Sequence, residues 1–109
     1  MSWRIKFFQT ARGAYPVKEF IESQDEATYA KILHLLNLLS NNGPYLMPPY
    51  VKKVRSKLFE VRISGKIAVR ILYFMTHNEY YLLHAFKKKS PKMPEKELKI
   101  AVDRMNELI

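Results

Sequence analysis

An α+β domain is predicted by three observations. Helical and strand-like segments are segregated along the chain rather than alternating, with two helices before a run of strands and one after it. The late strands are joined by turns so short that each connection must be an antiparallel hairpin. A length of 109 residues with a 48% apolar composition suits one domain with one core, residues 1–109. The predicted order is β-α-α-β-β-β-α, a curved antiparallel sheet packed on two N-terminal helices and a C-terminal helix. The helical pair is expected to cover one face of the sheet and leave the other partly open.

Trp3-Arg4-Ile5-Lys6-Phe7-Phe8 alternates apolar with basic residues, which reads as a strand and not a signal peptide. Gly13 breaks it. Pro16 suits the first turn of a helix that carries Val17, Phe20 and Ile21 on one face. Ser23-Gln24-Asp25-Glu26 has the form of a capping box, so a second helix is expected to begin there. Its stripe of Tyr29, Ile32, Leu33, Leu35, Leu36 and Leu39 reads as core, and Gly43 suits a left-handed C-terminal cap. Three prolines between Tyr45 and Tyr50 make an irregular connector. Strands are expected over Leu58–Ile63, Ile67–Met75 and Tyr80–Lys88, with turns at Ser64-Gly65-Lys66 and Thr76-His77-Asn78. Pro94 opens the last helix, whose buried stripe is Leu98, Ala101, Val102, Met105 and Leu108.

Charge is segregated more sharply than the elements are. Eleven of the nineteen Lys and Arg residues, but only two of the ten acids, lie between Tyr50 and Lys92, while the remainder of the chain is balanced. The net charge of +9 is thus concentrated in the stretch that reads as sheet, which points to a polyanionic partner. No cysteine is present, so disulfides, thiol catalysis and Cys-ligated zinc are excluded. The three histidines lack metal-ligand spacing, and three glycines leave no room for a phosphate-binding loop. No metal or cofactor is expected. Nor is a membrane association, since no apolar run approaches the roughly 20 residues of a spanning helix. A cytoplasmic location fits.

Strand alternation sorts the basic residues by face. Glu60 and Arg62 lie opposite Phe59, Val61 and Ile63, and Arg70 is the one charge in its strand. His84, Phe86 and Lys88 share one face of the last strand, with Leu83, Ala85 and Lys87 on the other. Glu60, Arg62, Arg70, His84 and Lys88 are therefore expected to meet on the open face. Such a group suits RNA cleavage by the RNA's own 2′-hydroxyl, where cations stabilise the charge that builds on phosphate. Tyr73, His84 and Phe86 offer planes on which unpaired bases can stack. Lys52, Lys53, Arg55, Lys57, Lys89 and Lys92 read as loop residues that grip phosphate backbone without specifying sequence. Each residue also has an ordinary reading. Arg70 can pair with Glu60 across the sheet, Lys87-Lys88-Lys89 can be a solvated patch, and a single strand histidine is commonly structural.

The series Gly13-x-x-Pro16-Val17-x-Glu19-Phe20, Asn42-Gly43-Pro44, Leu58-Phe59-Glu60-Val61-Arg62 and Val69-Arg70-Ile71-Leu72-Tyr73 resembles the HigB-like, phage-derived branch of the RelE/ParE toxin superfamily. So does Leu83-His84-Ala85-Phe86-Lys87-Lys88-Lys89, followed by Pro94-x-x-Glu97-Leu98-x-x-Ala101-x-x-Arg104. The resemblance spans essentially the whole chain. It implies a RelE-like fold and a ribosome-dependent messenger-RNA endonuclease, the toxin of a type II toxin–antitoxin pair that needs no metal. The implied partners are the ribosome, mRNA and a helix-turn-helix antitoxin that forms a hetero-oligomer with it. Matched residue by residue, Arg62, Arg70 and Lys88 fall on basic positions of the family's strands. Arg62 and Arg70 are then the phosphate or transition-state stabilisers, Lys87 and Lys88 assist, and Glu60 is a base or an orienting group. Ser90-Pro91-Lys92-Met93 departs from relatives that carry a tyrosine or histidine there. Tyr73 or His84 replaces that group, or positioning and charge act alone. Two alternatives share the resemblance: a gyrase poison of the same fold, and a non-catalytic RNA- or antitoxin-binding domain.

Overall fold

The computed structural model describes residues 2–109. In chain order it has β1 (Arg4–Phe7), α1 (Pro16–Glu22), α2 (Glu26–Asn42), a 3-10 turn (Gly43–Tyr45), β2 (Val51–Arg55), β3 (Leu58–Ile63), β4 (Val69–Thr76), β5 (Glu79–Lys87) and α3 (Glu95–Leu108). The α+β class and the predicted order are found, with one strand more. The five strands form one sheet in the order β1-β5-β4-β3-β2. The hairpin strands are antiparallel, but β1 runs parallel to β5, so the sheet is mixed. A parallel neighbour requires a long crossover, and both helices and three strands lie between β1 and β5.

Helix α1 starts at Pro16 and buries Val17 and Ile21. The expected capping box does not form. Ser23 instead closes α1, its hydroxyl donating to the carbonyl of Phe20 at 2.7 Å. Extended Asp25 is the N-cap of α2, which starts at Glu26. Two helices separated by three residues leave Ser23 serving the first, not the second. Ile32, Leu35, Leu36 and Leu39 of α2 bury against Val61, Ile63, Ile71 and Leu82 of the sheet. Each such side chain contributes about 1.5–3 kcal/mol when fully buried. Tyr29 and Leu33, placed in the same stripe by sequence, remain exposed.

Gly43 has a φ of +55°, as a helix-ending glycine should. Its second role is space. The Trp3 ring lies where a Cβ would stand. Trp3 is fixed there by two backbone-directed bonds, its amide donating to Ser40 O at 2.7 Å and its carbonyl accepting from Ser40 Oγ at 2.9 Å.

β2 replaces what sequence placed in a loop approach. Lys52, Lys53 and Arg55 lie on this edge strand, and only Lys57 sits in the two-residue turn to β3. The strand is hard to see because its alternation is broken by a bulge between Lys53 and Arg55. A lysine-rich edge also discourages pairing with another chain's strand.

The second face of the sheet is covered over β4 and β5 and stays open towards the β2 edge, where Lys52 is exposed and Arg62 half-buried, so the expected partly open face is found. α3 lays Ala101 and Met105 over Leu58, Leu72, Phe74 and Leu83 to form a second core. Leu83 reaches it through a bulge. Tyr73 pairs with Leu82 and Leu72 with His84, which leaves Leu83 as an extra residue in β5. Leu83 and His84 both serve the α3 face, correcting the strict alternation that set Leu83 opposite His84. Arg104 of α3 donates to the bulged Leu83 carbonyl at 2.8 Å, satisfying a group the ladder leaves free.

Candidate functional site

Sheet register assembles the charged residues. Across one row Lys52 faces Glu60, Glu60 faces Leu72, and Leu72 faces His84; in the next, Arg62 faces Arg70 and Arg70 faces Phe86. Residues paired this way share a face. Glu60 Oε2 then holds two guanidiniums, with Arg62 Nε at 3.5 Å and Arg70 Nε at 3.9 Å.

Burial separates the members. Glu60 is 3% exposed and Arg70 is 7% exposed. Arg70 Nη1 donates to the carbonyls of Val69 at 3.0 Å and Ile63 at 3.4 Å. Desolvation pushes the Arg70 pKa down, and the nearby Glu60 carboxylate offsets part of that shift. Arginine nevertheless keeps its charge at any ordinary pH. The pairing of Arg70 with Glu60 across the sheet is thus present, and it holds Arg70 beneath the surface. Arg62, with a side chain 32% exposed, is the guanidinium that reaches solvent.

Glu60 lies at a cavity of about 150 Å³ lined also by Lys52, Lys53 and Lys88, with Pro91 and Met93 from the loop before α3. Two buried polar atoms in this cluster find no hydrogen-bond partner among the described residues, Glu60 Oε1 and Arg70 Nε. Glu79, the other acid of the basic window, is engaged elsewhere, 3.5 Å from Arg4 and 3.3 Å from Lys6 of β1. Among the described residues, Glu60 is the one carboxylate that lines this cavity.

Other expected members are placed apart. Lys87 and Lys89 line a separate cavity of about 440 Å³ with Phe20, Ser90 and Glu97. Tyr73 is in the main core on the α1–α2 face, stacked with Phe59 at 5.8 Å, and burial pushes its phenol pKa up. It has no free ring face for an RNA base and no accessible hydroxyl for proton transfer. Phe86 is buried in the second core and stacks on His84 at 5.8 Å, so it too is closed to bases. Arg55, Lys57 and Lys92 are exposed, as backbone-gripping residues should be.

His84 has a partner that sequence reading missed. Its Nε2 lies 2.6 Å from Glu97 Oε1 on α3. The signal available was Glu97 itself, three residues into a helix and read only as an acid favourable to the helix N-terminus. Burial drives the His84 pKa below its ordinary value, with Glu97 opposing the shift. A depressed imidazole pKa favours the neutral folded form. The associated stability is therefore full above about pH 6.5 and declines as pH falls through the folded pKa. Chemical denaturation at stepped pH should show that decline below pH 6.5 in the wild type and a flatter curve in His84→Gln. An equal slope in both would show that other groups carry it.

Residues 19–106 match the family model described as Phage derived protein Gp49-like. No curated protein matches the chain. No helix among the described residues is long and apolar enough to cross a membrane.

Proposed function

Because the chain belongs to the phage-derived Gp49-like family, a toxin-like family, we propose that it is the toxin of a toxin–antitoxin pair. In this reading it is a HigB-like endoribonuclease of the cytoplasm that cuts messenger RNA on the ribosome and is silenced by a cognate antitoxin. The observation that carries the reading is the Glu60 cluster: a buried carboxylate that lines a small lysine-rimmed cavity and approaches two arginines.

Arg62, Lys52 and Lys88 receive the scissile phosphate at the surface. Glu60 acts as an orienting group, because both its oxygens lie below the surface and Oε2 faces two guanidiniums. Arg70 fixes Glu60 from below and adds positive potential to the site. The RNA 2′-oxygen attacks phosphorus, its proton passes to water, and the bond to the 5′-oxygen breaks. The departing oxygen takes a proton from the Lys88 ammonium or from water, which leaves a 2′,3′-cyclic phosphate and a 5′-hydroxyl. Negative charge grows on the non-bridging oxygens along this path, so cations placed there stabilise the transition state more than the ground state. His84 takes no part, being engaged with Glu97 under α3.

Exposed Lys53, Arg55, Lys57, Lys89 and Lys92 supply the surrounding grip on ribosomal and messenger backbone. Such contacts add affinity that falls with salt. Brief induction followed by mapping of mRNA 5′ ends is the direct test. Cuts inside translated codons are expected. Intact message together with accumulating DNA breaks would instead assign a gyrase poison, and neither lesion would assign a non-catalytic binding domain.

A further inference from the structure

We propose that the cavity at Glu60 is a base-reading pocket, which takes one unpaired base of the bound RNA and favours adenine, guanine or cytosine over uracil. The proposal rests on the RNA-cleavage reading and adds a selectivity to it. The cavity holds about 150 Å³. Pockets that enclose a drug-sized ligand hold roughly 300–1,000 Å³, so this one suits a single heterocyclic base and not a whole nucleotide.

Its walls divide by chemistry. Val54 of β2, with Pro91 and Met93 of the loop before α3, supplies apolar contact. Val54 and Met93 also pack on the second core, which steadies them. Lys52, Lys53 and Lys88 supply cations. Register sets Lys52 directly across from Glu60, and the Lys88 amide donates to the Ala68 carbonyl at 2.9 Å. A ring between the carbon surfaces leaves its phosphate among the lysines. Single-stranded RNA offers splayed bases whose edges can be read in this way.

Glu60 selects the ring. Its Oε2 is engaged by Arg62 and Arg70, at 3.5 and 3.9 Å. Its Oε1 is buried and has no hydrogen-bond partner among the described residues. A carboxylate oxygen only accepts hydrogen bonds, so the base it takes must donate. Adenine, guanine and cytosine each carry an exocyclic amine. Uracil instead has one ring N–H between two carbonyl oxygens, which a carboxylate repels. Sites that hydrogen-bond a substrate group reject analogues lacking it far more strongly than sites that sense size alone. Lys52, Lys53, Lys88 and Met93 are long and flexible, so a base reaches Oε1 by displacing side chains and not backbone.

The test deletes the amine alone. Purine replaces adenine, hypoxanthine replaces guanine and uracil replaces cytosine, at each codon position in turn. Single-turnover cleavage on the ribosome by the wild type is measured, together with fluorescence anisotropy of 2′-deoxy trinucleotides, which cannot be cut. At one position each replacement should slow cleavage and weaken binding roughly tenfold or more. Glu60→Gln gives the sharper result. Its amide oxygen faces the arginines and its NH2 faces the cavity, so the preference should move toward uracil, whose O4 accepts. A residue that only braces the fold would lower all substrates alike. Thermal melts verify folding, and if this variant does not fold the analogue series decides alone. Cleavage indifferent to the amine at every position would overturn the pocket and leave the nuclease reading intact. An unchanged order of preference in folded Glu60→Gln would also overturn the pocket. Amine-dependent binding without cleavage would sink the nuclease reading and keep the pocket, and neither binding nor cleavage would overturn both.

Discussion

Glu60→Ala is expected to destabilise the fold by about 3–5 kcal/mol, the usual result of stranding one member of a buried ion pair. Arg70 would keep only the carbonyls of Val69 and Ile63 as polar partners, and its guanidinium is too buried for water to replace the lost carboxylate. Domains of this size are stable by about 5–15 kcal/mol, so the variant stands close to unfolding. Urea denaturation measures the loss directly. The double variant Glu60→Ala, Arg70→Met should recover most of it, because the unpaired charge is gone and the methionine stem fills the same space. A Glu60→Ala loss below about 1 kcal/mol would show that Arg70 is solvated in solution and that the buried pair is not a feature of the folded chain.

Arg62→Ala should behave oppositely, with little effect on stability and a large effect on activity. Its side chain is partly exposed, and exposed ion pairs contribute about 0–1 kcal/mol, so its bond to Glu60 is a small structural loss. Its guanidinium is the one arginine of the cluster that can meet phosphate. Removing a single preorganised donor from a developing oxyanion typically lowers the rate by about 10²–10³. Single-turnover cleavage of ribosome-bound message should show a loss of that size, with an unchanged melt. Arg62→Lys should recover only part, since an ammonium keeps the charge but not the planar fork. Full activity in a folded Arg62→Ala protein would remove this residue from the mechanism. The contrast with Arg70 matters in practice. An Arg70→Ala variant conflates lost chemistry with lost folding, because its effect passes through a buried pair.

Much of the architecture was legible because it depends on local signals. Leucine spacing in α2, the Thr76-His77-Asn78 turn and the alternation of β3 each report their own structure, and together they brought Glu60, Arg62 and Arg70 to one face. β2 was not legible. Val51 and Val54 are its only apolar residues, a bulge disturbs their spacing, and Ser56-Lys57 lacks the usual glycine or asparagine of a tight turn. The coverage of the second face over β4 and β5 was equally hidden. The apolar stripe of α3 announces that it buries something, but only tertiary packing decides against which face. That one decision determined the burial of Phe86 and brought Glu97 to His84. Tyr73 failed for a simpler reason: alternation along β4 puts it opposite Arg70, and an aromatic in a strand is as much core material as a base platform.

The extra residue in β5 has a consequence for how this scaffold can vary. Upstream of Leu83 the strand keeps time with β1 and the main core; downstream, one residue out of phase, it keeps time with Arg70 and α3. The strand thus works as two rulers joined at an offset. Sequence changes on the β1 side can accumulate without shifting the register that positions Phe86 and the lysines after it. Losing the single offset residue would restore an unbroken ladder, with Leu82 beside Tyr73 and His84 beside Leu72, and would cost the second core the Leu83 side chain without turning the terminal half over.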